Sequence, residues 1–73
     1  METATTTQPT HEELVAFCQS MYDFHTDKML YWMRDLEDYI NTGGHDSELI
    51  NDKGALSFYH RDEAIAYKER GGL

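Results

Sequence analysis

Residues 10–42, THEELVAFCQSMYDFHTDKMLYWMRDLEDYINT, repeat apolar side chains at helical spacing from one end to the other. Val15, Tyr22, Met29 and Leu36 recur every seven residues. Cys18, His25, Trp32 and Tyr39 follow three positions behind them, so both sets share one stripe of a helix. Leu14, Met21, Met33 and Ile40 widen that stripe. Thr10 suits an N-cap, and Glu13 is placed to reach back and complete a capping box. Glu12 and Glu13 put carboxylates at the positive end of the helix dipole. Gly43-Gly44 supplies the stop. The spacing therefore predicts helix over 10–42, almost half of a 73-residue chain and the home of six of its nine aromatic side chains.

Between its capping residues a helix of this span is about 46 Å long, whereas a compact domain of this size has a radius of gyration of only ~11 Å. Two arrangements resolve the conflict. The chain breaks near His25-Thr26-Asp27, with Thr26 capping a second helix of a helical hairpin, or the helix stays straight and a second copy lies along the seam of residues 15–40. No Gly or Pro occurs within 10–42 to force a break. That absence favours the straight helix and a homodimer.

The remainder changes character. Glu48-Leu49-Ile50-Asn51 and Ala55-Leu56-Ser57-Phe58-Tyr59 flank Asp52-Lys53-Gly54, which predicts two short strands around a turn. Ser47 offers a competing helix cap. Arg61 to Arg70 predicts a final helix, acidic in its first turn and basic in its last, with Gly71 as its stop. The expected fold class is helix-dominated α+β: a long N-terminal helix, a small β-hairpin and a short C-terminal helix. Residues 1–9 read as a flexible tail and 10–73 as a single small domain.

The formal charge is −8. Residues 1–52 hold a net −9 and residues 53–73 a net +1. Phosphate affinity needs clustered Lys and Arg, so direct nucleic-acid binding is disfavoured and a partner with a basic surface is favoured. The single Cys18 excludes an internal disulfide and lies among apolar neighbours, the pattern of a reduced, buried thiol in a cytoplasmic setting. METATTTQP lacks a basic start and an apolar centre, and nothing approaches the ~18 apolar residues of a membrane span.

Catalytic chemistry finds no foothold. His11 and His25 stand fourteen residues apart, His45 and His60 fall in predicted loops or caps, and none has zinc-ligand spacing. Glu12-Glu13 and Glu37-Asp38 are adjacent, so they point about 100° apart on a helix and do not converge. No phosphate loop and no nucleophile with a base is present. The C-terminal Arg70-Gly71-Gly72-Leu73 resembles the tail of ubiquitin-like modifiers, whose folds begin with a β-hairpin and not a long helix. No cofactor and no enzyme activity are expected. His25 falls on the seam, where its titration would make association pH-dependent.

Recognition remains. Asp23 and Asp27 are one turn apart, Asp38 falls near the same azimuth, and Asp35 and Glu37 flank it. Tyr22, Tyr31 and Tyr39 lie among them, and Tyr31, Trp32 and Tyr39 have interface-anchor chemistry. The expected protein-binding set is Asp23, Asp27, Tyr31, Trp32, Asp35, Asp38 and Tyr39. Small size, acidity and surplus aromatic surface make the chain similar in general character to phage or mobile-element inhibitors such as anti-CRISPR proteins. This likeness implies a non-enzymatic acidic inhibitor or adaptor, anti-CRISPR-like or a nucleic-acid mimic, that blocks a nucleic-acid-binding host protein. The alternative is a self-associating structural or regulatory subunit, antitoxin-like or an assembly protein.

Overall fold

A computed structural model describes residues 8–73. Most of the tail expected over 1–9 thus lies outside the described residues. α1 runs from His11 to Asn41 and α2 from Ser47 to Gly71, and the two pack side by side as an antiparallel hairpin.

α1 begins as its sequence predicts. The Thr10 hydroxyl accepts from the Glu13 amide at 3.1 Å, and the Glu13 carboxylate accepts from the Thr10 amide at 2.8 Å. The helix is unbroken through His25-Thr26-Asp27, because each residue there is compatible with helix and the seam never changes direction. Gly43 takes a φ of +94°, which lets the chain turn just past the C-cap Thr42. The Gly44 amide then donates to the Tyr39 carbonyl, and the Asp46 amide donates to the Tyr39 hydroxyl at 3.0 Å, so the turn is stapled to the last turn of α1.

The β-hairpin expected over 48–59 is absent: Asp46 caps a helix that takes in Leu49, Ile50, Leu56 and Phe58. The Asp46 carboxylate accepts from the Glu48 and Leu49 amides, which satisfies two orphan donors and makes Asp46, one residue before the competing Ser47, the N-cap. The final helix expected from Arg61 therefore begins at Ser47. Alternating Leu56 and Phe58 imitate a strand, but a second periodicity wins. Ile50, Ser57, Ala64 and Gly71 recur every seven residues, with Lys53, His60 and Tyr67 three positions behind. These are the residues of α2 that face α1, and most are small or polar, so the stripe does not stand out by hydrophobicity.

The size conflict is resolved by the chain itself. α2 lies along the 15–40 seam that was expected to take a second copy or a broken-back α1, and the molecule is extended, 61 × 27 × 14 Å with a radius of gyration of 17.6 Å. Across the seam His25 meets His60 and Tyr67, Trp32 meets Lys53, and Gly71 faces Cys18. The helices come close enough that a Cβ on Gly71 would sit 2.7 Å from the Cys18 Cβ. Among the described residues only Cys18, His25, Ser57 and Ala64 are buried. The hairpin is one layer thick, where a domain ordinarily has two.

Candidate functional site

Two groups of side chains close the hairpin, and a third faces outward. The first closing group surrounds His25 at mid-seam. Its Nδ1 lies 2.8 Å from Nδ1 of His60, so one ring donates and the other accepts. The His25 ring stacks on Tyr67 at 5.8 Å, with Tyr59 and Phe24 presenting edges to it. Burial holds the His60 imidazole below its usual pKa; the charges of His25 and Lys28 add to the effect, and Glu63 opposes it. The pairing was hidden in sequence because the two rings stand 35 residues apart and arrive from different helices.

The second group surrounds Lys53, which enters the seam from α2. Its ammonium lies 5.9 Å from the Trp32 ring centre and 5.8 Å from that of Tyr39, and it pairs with the Asp35 carboxylate. Lys53 thus joins three of the expected binding residues to α2. Trp32 and Tyr39 are half-buried here. Their roles in the structure are to face the lysine ammonium and, for Tyr39, to staple the turn.

The outward group lies on the far side of α1. Asp27, Leu30, Tyr31, Arg34, Asp35 and Asp38 line one shallow depression, which brings together four of the seven expected residues. Asp23 lies one turn earlier and accepts from the Gln19 amide nitrogen at 3.0 Å. Tyr31 is more than half exposed, and Lys28 lies 5.9 Å from its ring centre. Of the expected set, Asp23, Asp27, Tyr31 and Asp38 are open to a partner, Asp35 is shared with the seam, and Trp32 and Tyr39 belong to the hairpin.

Among the described residues no three His, Cys, Asp or Glu side chains cluster to hold a metal ion, and no helix is long and apolar enough to cross a membrane. Exposed apolar surface, by contrast, is abundant. Thirteen large apolar side chains are exposed among the described residues, including Phe17, Phe24, Met33, Ile40, Phe58 and Ile65. No family model, no curated protein and no solved structure matches this chain.

Proposed function

We propose that the chain is a non-enzymatic protein-binding hairpin, an acidic inhibitor or adaptor whose partner presents a basic surface of the kind that binds nucleic acid. The observation that carries this reading is the depression lined by Asp27, Tyr31, Arg34, Asp35 and Asp38, an aromatic side chain set among carboxylates on a rigid helix. Four residues advance a helix by ~6 Å, so the exposed Asp23 and Asp27 present negative charges one turn apart, and Asp38 continues them farther along the same side. Such a face steers a basic partner and speeds the encounter, while Tyr31 supplies contact area once the two meet.

Lys28 and Arg34 lie on the same side and set the register, because a partner must place acidic groups opposite them. Phage-type inhibitors of host nucleic-acid enzymes have this general character. The likeness belongs to a class and names no target.

The test is affinity capture from host lysate with the wild-type chain and with Asp27→Lys combined with Asp38→Lys as parallel baits. Captured proteins are then purified and titrated at increasing salt. The expected result is a protein retained by the wild type only, with an association rate that falls at least tenfold between 50 and 500 mM salt. A partner held equally by both baits, with a salt-independent rate, would reject the acidic face.

A further inference from the structure

We infer that the face of the hairpin opposite its charged side is a homodimer interface, on which α2 crosses α2 of a second copy with Phe58 of each seated over Gly54 of the other. Phe58 and Gly54 are four residues apart and so lie on one side of α2. Both line a single apolar groove of about 440 Å³ with Met29, Met33, Leu36 and Ser57.

The groove contains its own knob and its own hole. Phe58 is 58% exposed, the most exposed large apolar side chain among the described residues. A Cβ built on Gly54 would meet nothing within 4 Å, so the space above that glycine is open. A twofold axis midway between the two positions places each knob in the partner's hole, the self-complementarity that an isologous contact requires. Met29 and Met33 flank the site, and their flexible thioethers adapt to an inserted ring.

Area and charge point to the same occupant. A compact chain of 8.5 kDa exposes about 4,700 Å², and this hairpin exposes 5525 Å². The excess follows from the extended, one-layer shape, and an interface of standard size takes ~800 Å² from each partner, an area that an open face of the hairpin can supply. A second hairpin also supplies the missing layer of a 14 Å sheet of helices. On a chain of net charge −8, the groove is lined by one charged residue, Arg61, whose guanidinium lies 4.9 Å from the Phe58 ring centre. Two copies approach there without opposing carboxylates, which the outer face of α1 does not allow. The dimer leaves that outer face free, so this inference stands whether or not the proposed partner exists.

Sedimentation equilibrium of the full chain from 1 to 200 µM tests it, with helicity followed by circular dichroism. The expected species has twice the 8.5 kDa chain mass. Phe58→Ala and Gly54→Phe should each weaken association at least tenfold. The exchange Gly54→Phe with Phe58→Gly restores a knob and a hole in swapped positions and should recover the dimer. In the unmodified chain, mixing isotope-labelled and unlabelled copies should give an intermolecular contact between the Phe58 ring and the Gly54 α-protons. A chain that stays monomeric at 200 µM, or a dimer without that contact, would overturn the assignment; a monomer that accepts only foreign amphipathic helices would make the groove a partner site instead.

Discussion

Acidification should loosen the hairpin through His60, and the size of the effect follows from the geometry of the His25–His60 pair. The short Nδ1–Nδ1 contact holds one proton between the rings. Protonation of both rings puts a hydrogen on each facing nitrogen, and the bond is lost. Because the folded state holds the His60 pKa below its usual value, the unfolded chain takes up a proton near pH ~6.5 that the folded chain refuses. Stability is therefore complete above that pH, declines as pH falls through ~6.5, and levels off only below the folded pKa.

The loss has two parts. A neutral hydrogen bond contributes ~1 kcal/mol net. Two imidazolium rings whose centres are 5.1 Å apart repel by about 3 kcal/mol at an effective dielectric of ~20 and by about 0.8 kcal/mol in water. His60 is half-buried and open to solvent on one side, so screening brings the repulsion toward the lower figure. Lys28 adds repulsion from the same side and Glu63 offsets part of it. The expected drop is about 1.5–2 kcal/mol between pH 7.5 and 4.5, with a slope for one proton no steeper than ~1.4 kcal/mol per pH unit. Urea unfolding of the wild type and of His60→Leu, followed by ellipticity at several pH values, measures it. The leucine variant should lack the step. Superimposable pH profiles for the two proteins, or a wild type that gains stability from pH 7 to 5, would refute the reasoning.

Two further substitutions probe how the hairpin is closed. Lys53→Met keeps an apolar stem but removes the ion pair with Asp35 and the cation above Trp32 and Tyr39; it should cost about 1 kcal/mol in urea unfolding, and a neutral or stabilising result would reduce Lys53 to packing. Gly44→Ala forces a Cβ to within 2.5 Å of the Tyr39 ring and should displace the hydroxyl that holds the Asp46 amide. The expected cost is about 1–3 kcal/mol, read together with faster amide exchange at Asp46; an unchanged exchange rate there would show that the staple is dispensable.

What was legible in the sequence was local. The cap at Thr10, the stop after Thr42 and the eight-residue seam of α1 each depend on side chains within a turn or two of one another, and apolar periodicity reports such relations directly. The acidic set on α1 was legible for the same reason: Asp27, Tyr31, Asp35 and Asp38 follow helical spacing, and the structure lines them along one depression. α2 was not legible. Its stripe is made of Ser57, Ala64 and Gly71 with Lys53 and His60, small or polar residues that let the helices approach closely at Gly71 and pair across the seam at Lys53 and His60, and such a stripe has no hydrophobic signature of its own. Leu56 and Phe58 lie off that seam and imitated a strand.

The sequence by itself determined that α1 is helical, where it starts and stops, and that its outward face is acidic. Only the tertiary structure decided that α2 fills the seam of α1, that His25 meets His60, and that Trp32 and Tyr39 hold a lysine and a turn. The reason is physical: a helix is specified by neighbours a few residues apart, whereas the surface it buries is closed by partners far along the chain, His60 for His25 at 35 residues and Lys53 for Asp35 at 18, which no local spacing reports.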